Sequence, residues 1–257
     1  MKSWLNEQRV DTPSLSLMHG HGIYETLLWR GGPPPAFLHH IERLNRGAAC
    51  LQIAPPADGA VLRSVQATGI PSDLLARVRI VLWQGKVGGP GVHLVQWRPA
   101  TEAECRPAPA RLLLGPKIRT IESPFFGCKH LGIASDLALR QRAARQGCDE
   151  VLLRSTEGWL SEAATAAVVF GMNDGTVGTP ALEAAPLPST TLALAEARGI
   201  GLEPLLITEA DLPRISWILL SNAVIGARAV AQVQGQVLQA PPAQWLSRLR
   251  ACTGLAD

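Results

Sequence analysis

The residues Ala76-Arg77-Val78-Arg79-Ile80-Val81-Leu82-Trp83 alternate apolar with basic side chains and then run apolar. A period of two is that of a strand with one face covered, and it rules out a helix over this stretch. Val92 to Trp97 reads as another strand, joined to the first by the glycine-rich turn Gly85 to Gly91. Gly22 to Trp29 (GIYETLLW) is a third. After it, Arg30-Gly31-Gly32 and three prolines form a turn before Ala36-Phe37-Leu38, which reads as the second arm of a hairpin. From His39 to Ile53 the apolar residues Ile41, Leu44, Ala48 and Leu51 recur at spacings of three and four, so the segment reads as a helix that Pro55-Pro56 ends. Arg43 and Arg46 then lie near one edge of that helix.

The stretch Arg98 to Pro109 is rich in Pro, Ala and Glu, and Gly115 to Pro124 holds more breakers around Ile118-Arg119-Thr120-Ile121. A domain junction is expected here, dividing the chain into 1–115 and 116–257. Beyond it, Leu131 to Gln146 has a helical pattern stopped by Gly147. Strands follow at Glu150–Leu153, Ala166–Phe170 and Thr176–Gly178, then a helix over Thr191–Arg198. Leu202–Ile207 and Trp217–Leu220 read as strands, and a helix around Gln244–Cys252 closes the series.

With 47% apolar and 18% charged residues the 257-residue chain is not disordered. It contains neither an apolar window of about 18 residues nor an apolar run after basic N-terminal residues, so a soluble, cytoplasmic protein is expected, without a membrane partner. A net charge of +3 with scattered arginines argues against nucleic acid. The five cysteines form no CxxC pair, and the close pair His19 and His21 lacks a third ligand at metal-like spacing, so no metal is expected.

Lys129 is one of only four lysines, and it sits just before a helix, in Phe126-Gly127-Cys128-Lys129-His130-Leu131-Gly132. Glu162 returns on a later strand. An amine and a carboxylate placed this way suit the two ends of pyridoxal phosphate (PLP): the amine forms an imine with the aldehyde, and the carboxylate keeps the ring nitrogen protonated. Read singly, each is also what a solvated turn or strand end carries. The phosphate of such a cofactor needs donors. Arg43, Ser189-Thr190 at the opening of a helix, and Ser221-Asn222-Ala223 after an apolar strand are the candidates, while an N-cap and a strand end are the plain alternatives for the last two.

Taken in order, these pieces resemble the fold-type IV PLP enzymes, the class of branched-chain and D-amino-acid aminotransferases and 4-amino-4-deoxychorismate lyases. Gly22-Ile23-Tyr24-Glu25-Thr26 resembles the family's glycine-aromatic-Glu-Thr strand, and His40-Ile41-Glu42-Arg43-Leu44 its His-x-x-Arg-Leu helix. Lys129, Gly147-Cys148-Asp149-Glu150, Glu157 to Glu162, Thr179-Pro180 and Ser221-Asn222-Ala223 follow in family order. The resemblance implies an α/β (α+β) chain of two domains, a smaller N-terminal one and a larger C-terminal one with a barrel-like sheet, the cofactor in the cleft between them, and a homodimer. It implies that Lys129 forms the Schiff base and that Glu162 contacts the pyridine nitrogen. Arg43, Ser189, Thr190, Ser221 and Asn222 would bind the phosphate, and Tyr24 and Thr26 would line the side of a small-molecule substrate.

Within the family, Lys129-His130-Leu131 and Arg77 to Leu82 resemble the lyase. That resemblance implies conversion of 4-amino-4-deoxychorismate to 4-aminobenzoate and pyruvate, in folate biosynthesis, with Lys129 as base once the substrate amine replaces it. Transamination of branched-chain or D-amino acids and a non-catalytic role are the alternatives. The chain departs from the family at Pro188-Ser189-Thr190-Thr191, where a Gly-Ile/Val-Thr-Arg turn is usual, and at Ala167, where an asparagine is. Gly132-Ile133 replaces the lyase's Asn-Arg, and Pro90 stands where an arginine could meet a substrate carboxylate. Lys86, His93 and Arg98 are other sources of positive charge.

Overall fold

A computed structural model describes residues 18–85 and 91–255, and the backbone of residues 3–5 and 8–10. Strands β1 (Ser3–Leu5) and β2 (Gln8–Val10) form an antiparallel pair. Strands β3 (Gly22–Trp29), β4 (Ala76–Gln84) and β5 (Gly91–Pro99) form an antiparallel sheet in that order. Alternation in β4 does what its sequence requires: Val78, Ile80 and Leu82 are buried against the helices α1 (Phe37–Cys50) and α2 (Ala60–Ala67). Arg77 and Arg79 point to the other face, with Tyr24 and Thr26 of β3.

The expected hairpin is corrected. Ala36 to Leu38 is no strand; Phe37 opens α1, its N–H bonded to Pro34 O at 2.9 Å and its ring edge-on to Trp29 at 6.3 Å. The three prolines cannot donate to a ladder, so β3 pairs along its whole length with β4, Gly22 opposite Trp83 and Trp29 opposite Ala76. Helix α2 had no counterpart in the sequence reading. In the presumed junction, α3 (Glu102–Cys105) is a single turn held by a Thr101–Glu104 capping box.

The first half of the breaker-rich stretch, residues 115–119, is also not loop, whereas residues 120–124 are turns. It belongs to β6 (Ala110–Arg119), which is parallel to its neighbours on both sides. Gly115 and Pro116 fall at a register shift between Leu114 and Lys117, where a bulge tolerates the missing donor. The boundary drawn at residue 115 thus lies inside a strand, and the chain passes from one sheet to the other between Pro99 and Ala110.

Helix α4 (Ala134–Arg145) is followed by β7 (Glu150–Ser155), β8 (Leu160–Ala163), β9 (Ala167–Met172), β10 (Val177–Pro180) and α5 (Thr190–Ala197). Then come β11 (Glu203–Leu205), β12 (Ile215–Ser221), β13 (Arg228–Val233), β14 (Gln236–Val237) and α6 (Ala243–Ala251). Strand β8 is the later strand expected to carry Glu162, while β13 and β14 were not foreseen. The nine-stranded sheet runs β11-β10-β9-β12-β13-β6-β7-β8, with β14 on β13. It curls until its ends meet, since Leu160 N–H bonds Ile207 O at 2.7 Å and Trp159 bridges Thr208. This is the barrel-like sheet of the expected two-sheet α/β architecture. Leu112, Leu152, Phe170, Ile218 and Val230 fill its concave side. On the convex side α5 and α6 cover Val169, Trp217 and Leu219. Gly171 admits the Trp217 indole so closely that a Cβ there would sit 2.0 Å from the ring.

Candidate active site

Lys129 is reached through tight turns in which Phe126 N–H bonds Ser123 O and Cys128 N–H bonds Phe125 O, with Gly127 at φ 75°. The lysine then runs beside β3. Tyr24 N–H donates to Lys129 O and Leu131 N–H donates to Gly22 O, both at 2.9 Å, so its backbone is a short added strand on the N-terminal sheet. Its Nζ lies 4.7 Å from the centre of the Tyr24 ring. The Arg79 guanidinium also stacks on that ring, at 4.2 Å. His130, next in sequence, accepts Gly132 N–H on Nδ1 at 3.1 Å. Burial, helped by Arg119 and Lys129, lowers its pKa, and Asp136 opposes the shift.

Glu162 projects from β8 and is 9% exposed. Its Oε2 accepts Leu187 N–H at 3.0 Å, and its Oε1 lies 2.8 Å from Arg119 Nε. That N–H is not aligned on an acceptor, so the contact is electrostatic more than a formed hydrogen bond. Arg119 Nη2 donates to Asp136 at 3.0 Å. Burial pushes the Glu162 carboxyl up; Arg119, the Leu187 N–H and Lys129 pull against it, and burial wins. Burial would lower Arg119, but Glu162 and Asp136 outweigh it and hold the guanidinium charged.

Arg43 is 7% exposed and already engaged. Its Nε and Nη2 donate to the two oxygens of Glu25, each at 2.7 Å, and Nη1 donates to Pro188 O at 2.8 Å. His40 Nδ1 lies 2.7 Å from Glu25 Oε2, and its Nε2 lies 3.3 Å from Thr190 Oγ1. Because a carboxylate only accepts, Nδ1 carries the proton there and a neutral His40 accepts from Thr190. Burial works to raise the Glu25 carboxyl, but Arg43 and His40 overcome it and bring it down to about 2.

A single cavity of about 590 Å³ gathers Tyr24, Thr26, Arg43, Lys129, Glu162, Ser189, Thr190, Ser221 and Asn222, every site residue expected from the sequence. Their side chains differ in freedom. Ser189 caps α5 by accepting Leu192 N–H. Ser221 Oγ donates to Gly226 O at 2.7 Å. Asn222 donates to Thr165 O and accepts the N–H groups of Val224 and Ile225. Those three side chains hold turns in place; Ser221 has given its only proton, whereas Ser189, which accepts, keeps an O–H to donate, and Asn222 keeps a second amide N–H. Of the other charges considered, His93 bonds Ser64 and Arg98 bonds Glu104, and neither lines the cavity; Lys86 and Pro90 lie outside the described residues.

The sequence reading missed Arg119, Asp136, Glu25 and Thr191. Glu25 left a signal: it shares the buried face of β3 with Ile23 and Leu27, and a carboxylate at such a position demands a cation. Arg119 left none, because its partner is distant in sequence.

The family model for Amino-transferase class IV matches residues 22–233. The chain belongs to that family. A curated relative, the bifunctional aminodeoxychorismate lyase / D-amino acid transaminase of Mycobacterium tuberculosis, is 26% identical over 262 residues, covering 89% of this chain and 87% of the relative. A solved structure described as a hypothetical aminotransferase from Mycobacterium tuberculosis, in PLP-bound form, has a TM-score of 0.83 at 23% identity, covering 95% of this chain and 93% of its own. The branched-chain amino acid aminotransferase of Escherichia coli has a TM-score of 0.78 at 17% identity, covering 98% and 94%. At these identities the two structures speak for the fold alone.

The chain is therefore an enzyme of a PLP-dependent family, and its residues fit the cofactor. A lysine amine and a buried carboxylate share one cavity with the N-terminus of α5, where Thr191 has a fully buried hydroxyl without a hydrogen-bond partner among the described residues. No described helix is long and apolar enough to cross a membrane.

Proposed function

We propose that the enzyme is a lyase converting 4-amino-4-deoxychorismate to 4-aminobenzoate and pyruvate, a step of folate biosynthesis. The observation that carries this reading is the substrate-side wall. Arg77 and Arg79 line the cavity from one face of β4, beside Tyr24. Among the described residues Arg79 has no carboxylate at ion-pair distance, and Arg77 has only Glu104, at 3.7 Å and already bound by Arg98. A substrate bearing two carboxylates matches such a wall. The Mycobacterium tuberculosis relative named for this lyase activity supports the same reading.

When bound, PLP supplies a sink for charge that develops beside the substrate nitrogen. In the proposed assignment Lys129 binds the cofactor aldehyde through Nζ. With its amine free, Nζ would be the base that takes the proton from the substrate carbon bearing nitrogen. Glu162 holds the proton on the ring nitrogen, and Arg119 counters the burial that would neutralise the carboxylate. Arg43, with the α5 turn and the backbone at Ser221-Asn222, receives the phosphate. Tyr24, Thr26, Arg77 and Arg79 orient the substrate so that the enolpyruvyl group leaves and the ring becomes aromatic.

Purified enzyme given 4-amino-4-deoxychorismate should release pyruvate with no keto acid present. Turnover that requires an amino acceptor, with no acceptor-free pyruvate, would sink the lyase reading and favour the second one, a D-amino-acid or branched-chain transaminase. The double name of the Mycobacterium tuberculosis relative keeps that second reading in play. The proposal includes a cytoplasmic homodimer and a two-domain division of the chain. Light scattering during gel filtration tests the first: a monomer of 27.4 kDa would contradict it.

A further inference from the structure

Two of the five cysteines meet beside the cavity. Cys50 is the last residue of α1 and is exposed, and its Sγ donates to Pro124 O at 3.1 Å. That oxygen belongs to the tight turns that carry the chain to Lys129, and Cys128 lies in the same turns. Cys128 is 7% exposed and lines the cavity immediately before the lysine. Its thiol is in contact with that of Cys50; burial first, and then this contact, pushes it up to about 12. The other cysteines have other surroundings. Cys105 packs with Leu28 and Val224, Cys148 against Val151 and Leu153, and Cys252 in the cluster of Trp217 and Leu249.

The two sulfurs join elements that both face the cavity. Helix α1 carries Arg43, and the turn carries Lys129. Gly127, next to Cys128, has open space where a Cβ would stand, so the turn has room to adjust if the sulfurs draw together.

We propose that Cys50 and Cys128 form a reversible disulfide, made by exchange with a low-molecular-weight disulfide such as oxidised glutathione, which fastens the end of α1 to the turn of Lys129 and slows the loss of PLP. The exposed Cys50 reacts first: as thiolate it attacks one sulfur of the small disulfide, joins to it and expels the other half as a thiolate. Cys128, buried and protonated, is the resolving sulfur. It gives up its proton and displaces the second small thiolate from Cys50. Two protein thiols are thereby oxidised by two electrons, the small disulfide is reduced to two thiols, and these take up the two protons.

The site is tested on holoenzyme incubated with oxidised glutathione. Remaining thiols are alkylated in urea, and peptides are mapped by mass spectrometry before and after dithiothreitol. A linked pair of peptides holding Cys50 and Cys128 should appear and should separate on reduction. Cys128→Ser should stop with glutathione attached to Cys50, and Cys50→Ser should leave Cys128 reduced. The oxidised enzyme should need more urea to unfold, because the cross-link restricts the unfolded chain. It should also lose PLP to a trapping reagent several-fold more slowly, a readout that rests on PLP as the cofactor, whereas the peptide map does not. Both gains should vanish in Cys50→Ser. A map with no linked pair, a pair made through Cys105, Cys148 or Cys252, or glutathione retained on Cys50 of the wild type would overturn the disulfide. A linked pair with PLP lost at the same rate oxidised and reduced would overturn its hold on the cofactor.

Discussion

Replacing Glu25 by glutamine tests how much the buried pair under the cavity contributes to stability. Glu25 is 1% exposed and Arg43 7%, and the variant keeps the shape while leaving the Arg43 charge unpaired. The magnitude follows from two routes. The carboxyl falls from an ordinary 4.5 to about 2, and at about 1.4 kcal/mol per unit this corresponds to about 3–4 kcal/mol. Removing one partner of a buried ion pair costs about 3–5 kcal/mol in other proteins. The two agree on a loss near 3–4 kcal/mol, or roughly 6–16 °C in Tm for a chain of this size. Because the folded pKa is depressed, the stabilisation is complete above pH 4.5 and is lost as pH falls toward about 2. Urea unfolding of apoenzyme, followed by tryptophan fluorescence at several pH values, measures both quantities. Glu25→Gln should be less stable at pH 7 and show a flatter dependence on acid. A loss below about 1 kcal/mol at pH 7, or an acid slope equal to wild type, would refute the reasoning. Replacing both partners with apolar residues of similar volume should cost less than Glu25→Gln alone.

Lys129→Ala should abolish turnover and the visible absorption band of lysine-bound PLP, and retention of that band would remove Lys129 from its assigned place. Glu162→Gln should keep PLP but lower kcat by about 10²-fold, on the scale of one lost electrostatic contact to the reacting system; unchanged kcat would show that the carboxylate does not face the ring nitrogen. Arg79→Gln should raise KM for the dicarboxylate substrate with the cofactor band intact, as substrate titration will reveal. Gly171→Ala should destabilise the fold by about 1–3 kcal/mol, because its Cβ meets the Trp217 ring at 2.0 Å; wild-type urea resistance would contradict that.

Elements with a strong period were legible from the sequence. The alternation in β4 and the three-four spacing of α1 gave the small sheet and its covering helix, and the ordered motifs singled out Lys129, Glu162 and Arg43, which line one cavity. Where the reading failed, a local signal was outvoted by distant contacts. Ala36-Phe37-Leu38 is too short for its apolar character to distinguish a strand from a helix start, and Trp29 decides it. Gly115-Pro116 resembles a strand end, yet parallel neighbours on both sides carry β6 through with a bulge. Thr191 was passed over in favour of Ser189 and Thr190 because hydroxyls alike in sequence differ only in what their neighbours have already taken.

The backbone of Lys129 belongs to the sheet of β3, although the lysine comes after the chain has entered the larger sheet. Recombination that exchanged the N-terminal sheet for a homologous one would replace the rail on which the lysine is mounted, together with the Tyr24 ring beneath its amine. The reactive nitrogen and the carboxylate of Glu162 are thus set by different sheets. Their relative placement can be inherited only if both sheets travel together, which makes this enzyme a poor candidate for assembly from interchangeable halves.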